Sequence, residues 1–480
     1  MDGCATCLKP SRAGCVRLSP LVAIQRTRVG YGFLSLAAIL FVAALPSSAE
    51  EVQGPPPPAS VEGLPPDERE PKTVSPQEAQ SKQAPGAEPV LKALPAESGY
   101  TVIPLPSISY NRNERYWIGT LTSLLKANAK GDIEDIWAPQ YLYNPIVGHG
   151  GTLSYYSYPS DTVQYHAMAW YSQKVDRGVE FGYKDLGAGA GRYILAADFA
   201  AFKNPFARFF GFGSRAPAYQ ETAYTSRELQ IKLTAGINLT PDFSFMLTER
   251  YRNVRIDDNI IPSLPSTKQL FETIPGIEGA QVLGHGLTLR YDTRDSQLMP
   301  TKGTYVNALA EFAHNLKTDE ENQWGHVTLD ARRLFPHGGD KVFLARLFFN
   351  GVFGHIERKG TTLGVPFYEQ PTLGGEDTLR AFGRNRYTGT WAVLANIEER
   401  VPVLSKRFFD HAIEIEVAPF LDVGRVGQTG VSAGHLLFRD IQVNPGAGFR
   451  LLAKPNVVGR LDIGYGRDGA NVFVGLDYPF

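Results

Sequence analysis

Few side chains in this 480-residue sequence are spaced for chemistry. The histidines, His149, His166, His285, His314, His326, His337, His355, His411 and His435, form no His-Glu-x-x-His and no pair at metal-ligand spacing. Cys4-x-x-Cys7 is half of a metal or redox motif without its second pair. Gly211-Phe212-Gly213-Ser214 matches neither a phosphate-binding loop nor a nucleophile elbow in full, and reads as a turn. Asp292 and Asp295 flank Arg294, but their opposite parity keeps both carboxylates from one site, so an ion pair on a sheet wall is expected. No catalytic residue, metal ligand or cofactor is assigned, and the chain is expected not to be an enzyme.

What remains is one guanidinium in an unusual setting. The stretch from Leu373 to Tyr387 reads LGGEDTLRAFGRNRY. Gly374 and Gly375 permit a sharp reversal that a Cβ would resist, and Leu379-Arg380-Ala381-Phe382 sets Arg380 between apolar neighbours. From Gly354 to Gly389 there is no sustained alternation, a span much longer than an ordinary connection. Its Gly, Leu and Phe content argues for an ordered loop that folds from one mouth of a barrel back into its lumen.

The elements that would hold such a loop are strands. From Thr101 onward apolar and polar residues alternate with period two between turn residues. Leu229, Ile231, Leu233, Ala235, Ile237 and Leu239 share one face of a strand, opposite Glu228, Gln230, Lys232, Thr234, Gly236 and Asn238. The dyad runs to the end, where Val472, Val474, Leu476, Tyr478 and Phe480 alternate with Phe473, Gly475, Asp477 and Pro479. Alternation alone fits a soluble sandwich or a membrane barrel. About 380 residues divided into strands of roughly 9 to 11 allow about sixteen strands, and backbone groups in lipid must be paired internally, so an even-numbered, closed transmembrane antiparallel β-barrel is the economical all-β fold. Residues 115–125 are expected to be its first strand, pairing with 471–480 across the seam. The stretches 133–143 and 179–186 are less regular.

Composition agrees with that class. The net charge is -1, from 48 basic and 49 acidic residues, which offers no basic footprint for nucleic acid. The mean hydropathy of -0.19 is low for a helical membrane protein, whereas barrel strands expose apolar groups on one face only. Residues 1–49 read as a signal peptide, with Arg12, Arg17, Arg26 and Arg28 before the apolar run Gly32 to Leu45 and small residues at Ser47-Ser48-Ala49. Cys4, Cys7 and Cys15 all fall within it. Residues 50–100 form a Pro-rich linker too poor in aromatic residues to build a core. The barrel domain is expected over 101–480.

Four stretches together resemble the BamA/TamA superfamily of outer-membrane barrels, the bacterial surface antigen family. Leu379-Arg380-Ala381-Phe382 is similar to its hydrophobic-Arg-Gly-aromatic loop motif, with Ala381 in place of Gly. Phe420-Leu421-Asp422-Val423-Gly424 is similar to its Phe-x-Asp strand element. Tyr291-Asp292-Thr293-Arg294-Asp295 with Pro300-Thr301-Lys302-Gly303 resembles a strand-turn-strand sequence of these barrels, and Tyr478 to Phe480 resembles the terminal aromatic signal read by the barrel-assembly machinery. The resemblance covers roughly residues 101–480, and the ordered combination is far more specific than any single piece.

That resemblance implies a bacterial outer-membrane location, contact with outer-membrane lipid, and a role in insertion, assembly or translocation of protein or lipid envelope components. It also implies lateral opening at the seam and a client or periplasmic partner. Residues 50–99 do not make a periplasmic transport-associated domain, so a small or lipidic client, or a separate partner, is expected. The alternatives are a passive outer-membrane pore and an outer-membrane hydrolase. Parity supports the motif physically. With Ile413, Ile415 and Val417 outward, Glu414, Glu416, Phe420 and Asp422 point inward, as do Leu394, Asn396, Glu398 and Arg400 on the neighbouring strand. Arg380 is therefore expected to pair with Asp422, helped by Glu414, Glu416 or Glu398.

Overall fold

A computed structural model describes residues 100–480 apart from 128–132, 161, 297–298, 318–321, 355–363, 409–410, 429–439, 454–456 and 477–480. The leader and linker expectations therefore fall outside the described residues, as do Tyr478, Pro479 and Phe480. The alternating stretches become long strands: β1 (Tyr100–Asn111), β2 (Arg115–Ala127), β3 (Ile133–Asn144), β4 (Gly148–Ser157), β5 (Val163–Ser172), β6 (Arg177–Gly187), β7 (Tyr193–Phe209), β8 (Thr222–Asn238) and β9 (Phe243–Asp257). β10 (Ala280–Asp292), β11 (Gly303–Asn315), β12 (Gln323–His337) and β13 (Lys341–Gly354) follow. After a short pair, β14 (Thr372–Leu373) and β15 (Tyr387–Thr388), come β16 (Trp391–Phe408), β17 (His411–Gly427), β18 (Gln442–Ala453), β19 (Val457–Gly466) and β20 (Gly469–Leu476).

All but β14 and β15 form one 18-stranded sheet. Each strand pairs antiparallel with the next in sequence, and β13 pairs with β16 across the long loop. Successive turns thus alternate between two mouths. One mouth carries the long connections, residues 210–221, 258–279 and the loop from β13 to β16; the other carries short turns such as 239–242 and 338–340. That asymmetry is the one expected of an outer-membrane barrel.

Exposure decides between sandwich and barrel. In β8, Ile231 is 38% and Leu233 53% exposed, while Glu228 is 9% exposed. The apolar face looks outward and the polar face inward, the reverse of a water-soluble sandwich. Charged and polar side chains that would be surface decoration in a soluble protein, such as Arg290, Arg346, Asn396 and Asp462, are buried inside.

The chain makes two more strands than the length arithmetic allows, and the seam lies elsewhere than expected. β2, expected to be first, is paired on both edges, with β1 and β3. The first strand is β1, where Pro104 and Pro106 obscure the alternation. β1 and β20 approach within 8 Å between Cα atoms, yet no ladder joins them among the described residues. The prolines supply a reason. The β1–β2 ladder runs unbroken through Pro104↔Thr122 and Pro106↔Thr120. Because proline has no N–H, those two nitrogens must face away from β2, so the free edge of β1 lacks two donors.

Candidate functional site

The loop between β13 and β16 is a hairpin, closed at its stem by the β14–β15 ladder Thr372↔Thr388 and Leu373↔Tyr387. It turns at Gly374 (φ 114°) and Gly375 (φ 112°), a conformation that side chains resist. A Cβ on Gly374 would also meet the Gly383 carbonyl oxygen at 2.4 Å. Leu379, Ala381 and Phe382 are fully buried with Leu373 and Tyr387 against Ala392, Leu394 and Val426 of the barrel wall. Apolar burial thus brings the tip into the lumen and leaves Arg380 to face the charged strands.

There the guanidinium closes a bidentate pair with Asp422, Nε donating to Oδ2 at 3.0 Å and Nη2 to Oδ1 at 2.8 Å. Nη1 donates to Glu398 Oε2 at 2.6 Å, and the Arg380 backbone N–H donates to Asp422 Oδ2 at 3.1 Å. The guanidinium also lies 3.3 Å from the ring centroid of Phe420. All three charged side chains are 0% exposed. Burial pushes Arg380 toward giving up its proton, but Asp422 and Glu398 outweigh it and hold its pKa above the ordinary value. Asn396 Nδ2 donates to Asp422 Oδ1 at 2.8 Å and to the Thr378 carbonyl at 2.9 Å, fixing acceptor and loop together.

The expected helpers sort differently. Glu398 is the second acid. Glu416 is buried on the same face but stands across from Arg450, and lies about 20 Å along β17 from Asp422, with Glu414 a further 7 Å or so away. Both are too far down the wall to reach Arg380. Ala381 does not have a positive φ, so its methyl needs no glycine there. Room for it comes from the opposite strand, where a Cβ on Gly466 would come within 2.9 Å of that methyl. Gly424 serves the loop stem likewise: a Cβ there would touch Leu373 Cδ1 at 3.1 Å.

Sequence reasoning aimed Arg400 inward without naming its partner, and missed Arg450, Arg460 and Asp462. Arg450 Nη1 reaches Asp462 at 2.7 Å and its Nη2 reaches Glu398 at 3.4 Å; Arg400 Nε reaches Glu398 at 3.2 Å. Four guanidiniums, Arg380, Arg400, Arg450 and Arg460, the last 3.7 Å from Asp462, thus stand with four buried carboxylates, Asp422, Glu398, Asp462 and, across the ladder from Arg450, Glu416. A buried array of balanced charge is tolerated only while each group keeps its partners. The signal in the sequence was the inward parity of Arg450, Arg460 and Asp462, which marks a face without naming partners.

Further contacts spread the loop across the lumen. On the far wall Glu369 receives Arg250 Nη2 at 2.9 Å and Arg252 Nη1 at 2.8 Å from β9. Arg346 Nη1 of β13 donates to the Asp377 carbonyl at 2.6 Å. Toward the seam, Arg384 pairs with Glu376 and with Glu114 at 3.0 Å, and exchanges two backbone hydrogen bonds with the Asn113 side chain in the β1–β2 turn. Arg386 pairs with Asp468 in the β19–β20 turn at 2.5 Å. Asn471 Nδ2 of β20 donates to the carbonyls of Arg380 and Phe382. One loop therefore holds both flanks of the gap that no ladder closes among the described residues.

Gly464 of β19 makes the approach possible. A Cβ at this position would lie 2.8 Å from Ala381 N and 2.9 Å from Arg380 C. Gly464→Val is expected to destabilise the docked loop by at least about 2 kcal/mol, seen as trypsin cleavage at Arg384 or Arg386. Gly325→Val is the control, since a Cβ there meets nothing closer than 3.8 Å. Equal resistance in both variants would mean that the close approach is unimportant.

The other sequence candidates have structural roles. Arg294 Nε pairs with Asp292 Oδ1 at 3.1 Å, while Asp295 Oδ1 accepts the backbone N–H groups of Thr301 and Lys302, capping a turn. Gly211 and Gly213 have positive φ, and Ser214 exchanges hydrogen bonds with the Val426 backbone, which ties the β7–β8 loop to β17. Among the described residues no three His, Cys, Asp or Glu side chains are grouped to hold a metal.

An Omp85 superfamily domain model matches residues 169–470, more than half of the chain. Among solved structures, BamA from Haemophilus ducreyi lacking POTRA domains 1-3 is similar at 14% identity and TM-score 0.48, covering 79% of this chain and 76% of that one. CdiB from Escherichia coli is similar at 12% and 0.44, covering 80% and 63%, and CdiB from Acinetobacter baumannii at 10% and 0.39, covering 79% and 60%. The chain spans less than two thirds of either CdiB. A search of the curated proteins found no match.

Proposed function

This chain belongs to the Omp85 superfamily, and on that premise we propose that it is a non-enzymatic outer-membrane barrel that inserts, assembles or translocates a protein or lipid component of a Gram-negative envelope. The observation that carries the reading is the loop itself, which reaches across the lumen and grips both flanks of a seam with no ladder among the described residues through Arg384 and Arg386. A pore that merely conducts has no use for a lumen crossed by a loop held through balanced ion pairs. A device that opens on demand does. In this mechanism the docked loop keeps β1 and β20 together, and a client or periplasmic partner that displaces the Arg380 tip frees the seam for lateral exchange with lipid. The barrel-assembly machinery places the barrel in the membrane.

Photo-crosslinking in the native envelope tests the reading. Probes at Ser107 and Ser109 on β1 should capture a client or partner, and a probe at Leu287 on the outward face of β10 should capture only lipid. The passive-pore alternative expects no seam-specific adduct and a large steady conductance from the purified chain in planar bilayers. Those two results together would overturn the proposal.

A further inference from the structure

A row of cations crosses the outer face on the side of the long loops. Arg177 of β6, Lys203 of β7, Arg227 of β8 and Arg255 of β9 are successive cross-strand partners, Arg177↔Lys203, Lys203↔Arg227 and Arg227↔Arg255. All four share the outward parity of Val179, Leu195, Leu233 and Leu247, which are 44–56% exposed. Cross-strand neighbours place their Cβ atoms about 5 Å apart, where like charges repel, so three such contacts in succession disfavour the sheet unless an anion lies over them. The protein supplies one. Asp257 reaches Arg227 at 3.0 Å and Lys203 at 3.5 Å, while Arg177 and Arg255 have no carboxylate partner among the described residues. Four cations against one carboxylate leave three positive charges in the row.

Its height fits a lipid headgroup. Beyond Arg177 the same register continues to Tyr171 and, through Gly151, to Tyr141, both exposed tyrosines of the kind that mark a membrane interface. From the row toward the short-turn mouth β7 and β8 present an apolar outer face, Ala201, Phe199, Ala197 and Leu195 on one and Leu229, Ile231, Leu233 and Ala235 on the other, while β9 interrupts its own with Asn253 and Glu249. On those same strands lies a shallow depression of about 480 Å³, mostly apolar, lined by Tyr183, Leu195, Ala197, Leu233, Ala235 and Leu247, with Glu249, which pairs with His285 at 2.7 Å, at its β9 side. It is six residues from the row on β7 and β8, Lys203 to Ala197 and Arg227 to Leu233. Six residues are about 20 Å of strand. At a tilt of about 40° that is about 15 Å of depth, roughly the acyl-chain depth of one leaflet.

We propose that β6–β9 form a binding site on the outer wall for a phosphorylated, acylated glycolipid of the outer leaflet, its phosphates on Arg177, Lys203, Arg227 and Arg255 and an acyl chain in the depression around Ala197 and Ala235. Three unneutralised cations at interface height attract phosphate oxygens through charge-assisted hydrogen bonds, and the small alanines leave the space below for a chain. The site rests on the outer-membrane reading only for which leaflet it meets. It lies on the wall strands β6–β9, away from the seam between β1 and β20.

Native mass spectrometry of the full chain in neutral detergent tests it, with bisphosphorylated lipid A as the probe. Dephosphorylated lipid A, phosphatidylglycerol and inorganic phosphate are the comparison ligands. Bisphosphorylated lipid A should bind at least about tenfold more tightly than each of them. The variant R177Q/K203Q/R227Q/R255Q should lose that margin, and R255Q alone should lose part of it. Ala235→Phe, which fills the depression and leaves the cations, should weaken lipid A but not inorganic phosphate. Heat-modifiable migration on a gel confirms that each variant is folded. The proposal is overturned if the fourfold variant and R255Q both bind lipid A like the parent, or if dephosphorylated lipid A binds equally well. Equal binding of phosphatidylglycerol would reveal a general anionic surface, and equal binding of phosphate a free-anion site; either also overturns it. None of these outcomes touches the seam crosslinks, so the two readings fail separately.

Discussion

Arg380→Ala is expected to release the loop while leaving the barrel folded. The side chain is fully buried between Asp422 and Glu398, so its removal strands two carboxylates among the remaining charges. Breaking a buried pair from one side costs about 3–5 kcal/mol, against roughly 0–1 kcal/mol for an exposed pair. The undocked population should therefore rise by roughly two to four orders of magnitude. Trypsin cleavage at Arg384 and Arg386 reads that population directly when reclosure is faster than cutting. Asp422→Ala should act in the same direction, and the double variant should be no more susceptible than either single one, because both remove the same contact. Arg380→Lys keeps the charge but loses the fork that meets both Asp422 oxygens, and should fall between parent and alanine. Additive effects, or unchanged resistance in Arg380→Ala, would show that the loop is anchored elsewhere.

Acid should act later than ordinary carboxylate titration suggests. Burial raises the pKa of Glu369, but Arg250 and Arg252 outweigh it and hold it near 2, below its ordinary 4.5. Glu376 is held near 2 against burial by Arg384. A carboxylate whose folded pKa is depressed contributes its stabilisation fully above the unfolded value and loses it as pH falls through the folded one. The loop of the parent chain should thus resist pepsin at pH 4 and lose protection as the pH approaches 2. Release already at pH 5 would exclude these two acids as tethers.

The Arg380 site was legible because period-two parity and a motif are local. Parity aims Asp422 and Glu398 at one lumen, and burial of Leu379 and Phe382 carries Arg380 to them. What was not legible depends on which strand neighbours which, and at what height. Glu414 and Glu416 share the parity of Asp422, yet parity carries no distance along the strand. Arg384 and Arg386 looked like polar loop residues because their partners, Glu114 and Asp468, lie in turns hundreds of residues and tens of residues away in sequence. β1 was lost for a different reason. Two prolines in three residues argue against a strand unless one edge is unpaired, and that condition is visible only once β1 is seen to be the first strand, at an open edge.

Locking that edge is expected to abolish activity without unfolding the chain. β1 and β20 lie alongside one another without a ladder among the described residues, whereas every other strand of the 18-stranded sheet is paired on both sides. Opening there breaks no ladder among the described residues, only the loop's contacts to the two flanks. Cysteines placed in turn at Ser107 or Ser109 on β1 and at Phe473 on β20 all face inward near the gap, and the sequence has no cysteine beyond Cys15 to compete. A pair whose Cα atoms fall within about 4.4–6.8 Å will oxidise without moving the backbone. The oxidised chain should keep heat-modifiable migration and lose client crosslinking, and reduction should restore it. Pro104→Ala with Pro106→Ala approaches the same end by a milder route. It returns two N–H donors to the free edge, each hydrogen bond being worth about 0.5–1.5 kcal/mol, so the seam should close by about 1–3 kcal/mol and activity should fall without any crosslink. Full activity in a completely oxidised chain would mean that clients do not pass between β1 and β20. The unladdered edge would then be only a place where two prolines prevent pairing with a neighbouring molecule.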